Sequence, residues 1–404
     1  MTGTLEGIRV FDMSRVLAGP TCSQLLGDLG AEIIKVERPG EGDDTRKWGP
    51  PFLKDAAGRD TGESSYFLSA NRGKRSLTLD FTLPEGRDLA LRLIAQSDVL
   101  LENYKVGTLL RHGLGYEALH AQFPRLVYCS LTGFGQTGPY AARPGYDFLA
   151  QAMGGIMSLQ GEPEGEPMKG AVAMADLMAG MYSAVAILAA LRHRDRAGEG
   201  QRIDVALLDT QVAWLGNQAQ AFLTSGQIPP RLGNAHLSIV PYQVFATADG
   251  HIVLAVGNDG QFGKFCQFAD APRLKDDARF ATNRARVAHR ATLVPMLADI
   301  IRRKPSAHWI AGLEGAGVPC SPINRLDEVF ADPQVRAREM VVTMDHPAAH
   351  APIDLLANPI KYSETPIAYR HPPPTLGQHT DEILRGRLGL SEAAISQLRA
   401  RGVV

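Results

Sequence analysis

Short apolar runs alternate with amphipathic stretches through the first half of the chain. Ile8 to Asp12 reads as a strand, Pro20 to Leu29 as a helix and Glu32 to Glu37 as a second strand. Strand, helix, strand is a βαβ unit, which implies parallel strands. The alternation continues with a strand at Arg75 to Phe81, a proline-opened helix at Pro84 to Gln96 and strands at Asp98 to Leu101 and Leu126 to Leu131. A helix follows at Tyr146 to Ser158, a long one from about Ala175 to His193, a strand at Gln201 to Ala206 and a helix at Leu208 to Thr224. Ser225 to Pro230 is a breaker cluster suited to a linker. Beyond it, Tyr242 to Ala248 and His251 to Val256 flank Asp249-Gly250, an antiparallel hairpin signal. Helical segments are expected at Gln261 to Ala269, Thr292 to Arg303, Asp381 to Leu388 and Ser391 to Arg401. The pattern predicts an α/β fold with a parallel-sheet large domain and a smaller α+β domain after residue 224.

Composition narrows the function classes. Of 404 residues, 45% are hydrophobic and 21% charged, with a formal net charge of -1, the balance of a globular protein. The absence of basic excess argues against nucleic-acid binding but permits a local cationic site for a small anion. Cys22, Cys129, Cys266 and Cys320 are spaced for neither zinc nor a disulfide framework, so reduced thiols and no metal are expected. The first residues show no basic start with an apolar run, and a cytoplasmic location is expected. The apolar stretch Ala171 to Leu191 carries Asp176 and several small residues, so it reads as a core helix rather than a membrane span.

Candidate chemistry gathers at the strand ends. The turn Asp12 to Pro20 follows the first strand, where a parallel sheet places ligands, and it lacks the glycine fingerprint of a dinucleotide site. Glu37 ends the second strand where a ribose-binding acid would stand, and Arg38 beside it is either a phosphate ligand or part of a solvated turn. Asn71-Arg72-Gly73-Lys74-Arg75 puts three cations within four residues, a phosphate-binding cluster or a solvated edge. Lys105 and Arg111 add charge after another strand. Asp176 stands at the start of its helix, either as an N-cap or as a carboxylate nucleophile kept ionised by the helix dipole. His236 lies in a loop after the linker, where a packed histidine and a loop closing over a site are both open readings.

Several stretches in order resemble the class III CoA-transferases: Leu5 to Val10, Leu25 to Glu32, Lys35 to Pro39, Asn71 to Arg75, Leu101 to Tyr104, Arg143 to Asp147, Met174 to Met181 and Pro374 to Thr380. The resemblance spans nearly the whole chain. It implies that Asp176 attacks an acyl-CoA thioester and carries CoA as an aspartyl thioester. CoA would then lie against Val16, Leu17, Arg38, Asn71, Arg72, Lys74, Arg75, Asn103, Tyr104, Lys105 and Arg111, with Tyr146 and Asp147 nearer the thioester. Coenzyme A enters as substrate, with no permanently bound cofactor. The resemblance also implies a ring-like, interlocked homodimer and no membrane or nucleic-acid partner. Its large domain is Rossmann-like and built from both chain ends: residues 1–224, a small domain at 225–325, and a returning segment at 326–404.

Within the family the chain looks most similar to the succinate–hydroxymethylglutarate (glutarate) CoA-transferases, on Gly42 to Arg46, Trp48 to Phe52, Thr132 to Pro139 and Ala235 to Gln243. A dicarboxylate acceptor needs a donor for its far carboxylate, and His236 is the candidate. Rival readings are an acyl-CoA racemase, in which a histidine would replace Tyr146 before Asp147, an NAD-dependent oxidoreductase using Glu37, and a catalytically silent CoA-binding protein.

Overall fold

The computed structural model describes residues 3–404, which divide into two compact units. The larger comprises residues 3–155, 170–215 and 336–404, the smaller 156–169 and 216–335. The sequence placed the boundaries at 224/225 and 325/326; they fall at 215/216 and 335/336, and the stretch 156–169 joins the smaller unit. Glycine explains the first shift. Gly216 takes a left-handed φ of 52° and splits the helix expected over Leu208 to Thr224. Gly155, at φ 88°, likewise ends the helix expected to run to Ser158. Such backbone suits a residue without Cβ.

The larger unit holds a six-stranded sheet. Its strands are β1 (Arg9–Asp12), β2 (Glu32–Glu37), β3 (Lys74–Thr78), β4 (Val99–Glu102), β5 (Val127–Thr132) and β6 (Arg202–Ala206). They are ordered β3-β2-β1-β4-β5-β6 and every neighbouring pair is parallel. The order reverses direction between β1 and β4, and at such a switch point the loops leaving the strands part to leave a crevice.

Side chains alternate across the sheet, as strand geometry requires. Val10, Val99 and Leu101 pack on one face with Cys22, Leu26, Ile187 and Leu191. Phe11 and Leu100 pack on the other with Leu89, Leu93, Ile383, Leu384, Leu398 and Val404. The last residues of the chain are therefore part of the first strand's core.

Two helices pack against each other beside this sheet: α1 (Ala18–Asp28) and α2 (Met174–Ala197). By length and composition α2 could span a membrane, but half of its apolar window is buried inside the protein. Ala175, Ala179 and Gly180 are buried in it, and a Cβ at Gly180 would stand 2.6 Å from the Ala18 carbonyl oxygen. Small residues thus let α2 lie directly on the start of α1.

Charges are also buried between the strands. Lys35 meets Asp43 at 2.8 Å with both side chains wholly inside. Arg46 bridges Glu37 at 2.8 Å and Glu63 at 2.7 Å, and Arg72 bridges Asp28 at 2.5 Å. Paired in this way, charges survive burial; alone they would not.

The smaller unit carries an antiparallel sheet of Tyr242–Ala246, His251–Ala255 and Cys320–Pro322, confirming the expected hairpin. Phe245, Ile252, Leu254, Phe262, Phe265 and Trp309 form its core with surrounding helices.

Candidate active site

The crevice at the β1/β4 switch point is a cleft of about 260 Å³. Its walls come from the turn after β1 (Arg15, Val16, Leu17, Ala18) and the turn after β4 (Asn103, Tyr104, Lys105). Leu131, Thr132, Gly133, the Arg143 to Tyr146 stretch, Trp48 and Asp176 complete it.

The first turn is held from beneath. Val16 sits at φ 70°, a conformation rare for a β-branched residue and costing about 1–3 kcal/mol. Its N–H donates to both Asp43 oxygens, at 3.2 and 3.3 Å. Asp43 is itself fixed by Lys35 and by the N–H and hydroxyl of Thr45. These partners hold its carboxyl below the usual range, against the opposing effect of burial, which is the largest influence on it. Lys35 also donates to the Ser14 carbonyl at 3.0 Å. Asn103 clamps the turn from the side, accepting from the Arg15 N–H at 3.0 Å and donating to the Arg15 carbonyl at 2.7 Å.

Asp176 is the third residue of α2, not its N-cap. The capping role falls to Asp147, whose Oδ1 accepts from the N–H of Ala175 at 2.8 Å and of Asp176 at 3.3 Å. The other Asp147 oxygen accepts from Gln151 Nε2 at 2.7 Å. Both Asp147 oxygens thus accept hydrogen bonds that position the start of α2 and the Gln151 side chain. With the cap supplied from elsewhere, the Asp176 carboxylate makes no hydrogen bond among the described residues. Burial, with the Asp147 charge second, pushes its pKa up to about 7. The sequence expected the helix dipole to keep this group ionised; desolvation outweighs the dipole here.

Three cations line the cleft: Arg15, Lys105 and Arg143. Arg15 pairs with Asp44 at 3.0 Å, and Arg143 lies over the Tyr140 ring at 3.9 Å. Gly133 and Gly145 cross so closely that a Cβ on either would come within 2.4 Å of the other's Cα, so this wall tolerates only glycine. The Trp48 ring stands edge-on to Tyr66 at 5.1 Å. Burial raises the Tyr66 pKa, and the charges of Asp176 and Asp147 add to that effect.

The structure therefore brings together Val16, Leu17, Asn103, Tyr104, Lys105, Tyr146, Asp147 and Asp176. Arg38 and Arg111 are exposed and do not line the cleft; Arg38 pairs with Glu41 and Arg111 with the Thr108 hydroxyl. The Asn71 to Arg75 cluster is a correction. Lys74 is wholly buried, bonded to Asn71 Oδ1 and the Pro20 carbonyl at 2.9 Å and to Asp12 at 3.4 Å, and burial drives its pKa down to about 7. Arg72 is fixed to Asp28, and Arg75 to Glu32 at 2.6 Å and Glu382 at 2.8 Å. These cations pair with internal carboxylates away from the Asp176 cleft, so none of them lines it for the CoA phosphates. Glu37 is likewise occupied by Arg46, Ser76 and the Asp43 N–H, leaving no carboxylate for a ribose. Burial raises the pKa of all four cysteines, Cys129 to about 12, so none is a ready thiolate.

Arg15, Arg143 and Trp48 were missed as cleft residues. Arg143 and Trp48 lie within stretches that carry the family resemblance, which was the available signal. His236 belongs to the smaller unit. Its Nδ1 accepts from the Ser238 N–H at 3.0 Å, which fixes the proton on Nε2, and Arg290 holds its carbonyl at 2.8 Å.

A family model described as CoA-transferase family III matches residues 5–380. The chain belongs to that family. It is similar to a succinate–glutarate CoA-transferase of Agrobacterium fabrum, 49% identical over 380 residues that make up 94% of each chain. It is also similar to the succinyl-CoA:glutarate CoA-transferase of Homo sapiens, 44% identical over 99% of this chain and 90% of that protein. Among solved structures, a CAIB/BAIF family protein from Brucella suis superposes with a TM-score of 0.85 at 47% identity, covering 96% of this chain and all of that one. This family III CoA-transferase thus takes CoA thioesters as substrates. Its mixed α/β architecture is shared with the solved relative.

Proposed function

We propose that this CoA-transferase moves CoA from succinyl-CoA to glutarate, with Asp176 carrying CoA between the two acids. The observation that supports it most is the Asp176 carboxylate, without a hydrogen bond among the described residues, at the wall of a cationic cleft in a chain 44–49% identical to transferases of those names.

The Asp176 oxygen attacks the thioester carbonyl of succinyl-CoA. The C–S bond breaks, giving a mixed anhydride and CoA thiolate. The thiolate attacks the aspartyl carbonyl of that anhydride, forming the aspartyl-CoA thioester and releasing succinate with one oxygen from Asp176. A glutarate oxygen then attacks the aspartyl thioester, expelling the thiolate again. The thiolate attacks the glutaryl carbonyl, giving glutaryl-CoA and restoring the carboxylate. Thioester energy is retained throughout, as covalent catalysis allows.

The chain's residues serve this in separate ways. Arg15, Lys105 and Arg143 supply charge for the CoA phosphates, and Val16, Leu17, Asn103 and Tyr104 form the wall along its arm. Ala18 and Gly19 open α1 with N–H groups that have no intrahelical partner, and in this reading they stabilise charge developing on the thioester oxygen. Trp48, Leu131 and Leu207 exclude water, which both intermediates require. The far carboxylate of the acceptor needs a donor, and His236, with its proton on Nε2, is the candidate. The reading includes the interlocked homodimer that the resemblance implies: Met181, Tyr182, Val185 and Trp214 are large apolar side chains left about half exposed.

The test is an assay of succinyl-CoA with glutarate beside a panel of mono- and dicarboxylates, resolving the product thioesters. Glutaryl-CoA should form fastest. A preference for another acid overturns the acceptor assignment, and no transfer to any acid overturns the whole reading.

A further inference from the structure

A second cavity, of about 430 Å³, opens at the other end of β1, where the strands begin, and shares no lining residue with the Asp176 cleft. Five arginines line it: Arg9, Arg72, Arg75, Arg370 and Arg387, against the acids Glu6, Asp28 and Glu32. Arg72 is spent on Asp28 and the Leu356 carbonyl. The other four are unevenly matched. Arg9 at 3.7 Å, Arg75 at 2.6 Å and Arg387 all converge on the one carboxylate of Glu32. Arg75 shares a second acid, Glu382, and Arg370 takes Glu6 at 2.9 Å. Four guanidiniums thus face three carboxylates around a space large enough for a small molecule. His371 lines the same space, its pKa lowered by burial and then by Arg75, with Arg370 adding to the effect against Glu382.

We propose that this cavity is a binding site for a phosphate dianion, either free or carried by a small phosphorylated metabolite. A planar carboxylate such as Glu32 cannot take paired hydrogen bonds from three guanidiniums at once, because its acceptor sites lie in one plane. A tetrahedral dianion accepts in several directions, and guanidiniums recognise it in two-point fashion. It would also more than offset the one surplus positive charge beside His371. The donors come from distant parts of the sequence: Arg9 and Arg75 from its beginning, Arg370 and Arg387 from its end. A bound dianion would tie the returning segment to the first strands. The inference does not depend on the substrates of the Asp176 cleft.

The experiment compares thermal unfolding in inorganic phosphate and in chloride at equal ionic strength, with adenosine monophosphate as a separate arm. The wild-type protein should gain about 2–3 °C at saturation. Arg387→Gln and Arg370→Gln, both at partly exposed positions, should weaken that response at least tenfold in phosphate concentration while transfer activity persists. Lys105→Gln in the Asp176 cleft should leave it unchanged. An equal response in wild type and arginine variants means a general salt effect and overturns the proposal, as does a response lost only with Lys105→Gln. A response to adenosine monophosphate alone identifies the carried phosphate as the ligand; a response to inorganic phosphate alone identifies the free ion. Should both arginine variants misfold, the His371 ring resonances of the wild type, assigned with His371→Gln, supply the answer. They should move on phosphate titration, and no movement overturns the proposal.

Discussion

Asp43 and Asp176 lie in the same unit, and both are largely withdrawn from water. Asp43 is met by a buried ammonium, a hydroxyl and two backbone N–H groups, and its carboxyl is held below the usual range. Asp176 is met by no donor among the described residues, and burial with the Asp147 charge raises its pKa to about 7. Burial opposes ionisation in both; the partners decide the outcome. A satisfied carboxylate fixes the backbone, here the strained Val16 turn. An unsatisfied one keeps its lone pairs for a substrate.

Substitution should separate the two roles sharply. Asp176→Asn should lower kcat by roughly 10⁴-fold with the fold intact, since nothing remains to carry CoA. Steady-state transfer with near-UV circular dichroism checks both halves of that statement. Asp43→Asn should do the reverse. It strands the Lys35 ammonium and should cost roughly 3–5 kcal/mol of stability, read by urea unfolding, with any loss of activity following from the released turn.

The pH dependence carries opposite signs. Asp176 has its folded pKa near 7, above its ordinary 3.8, so the native state binds the extra proton between those values. Stability should therefore fall as pH rises through that window, while activity rises, because only the ionised group attacks. Asp176→Asn should gain roughly 2–4 kcal/mol relative to wild type at pH 8 and nothing at pH 4. Equal gains at both pH values would break the comparison. The smallest effect is expected at the acceptor: His236→Ala should raise the glutarate KM by about 10- to 100-fold, the worth of one hydrogen bond to a charge, and leave the succinyl-CoA KM nearly unchanged.

The sheet was legible because period-two runs and proline-opened helices are local signals, and the chain crosses each only once. The cleft at the β1/β4 switch was partly legible for the same reason, since parallel sheets open there. The Asn71 to Arg75 cluster misled because its counter-charges, Asp12, Asp28 and Glu32, sit in other elements that only folding brings near. The Asp176 cap misled in the same way: the true cap, Asp147, arrives from a different helix. Helix ends at Gly155 and Gly216 were lost because a glycine's sign of φ is set by context.

The most direct test mixes the protein with succinyl-CoA alone, quenches within a turnover and maps the mass of the peptide bearing Met174 to Met181. CoA joined to Asp176 through a thioester, released by hydroxylamine to leave a hydroxamate on that residue and absent from Asp176→Asn, is the expected result. A protein that transfers CoA at full rate while this peptide stays unmodified, or that does so with asparagine at 176, contradicts the account.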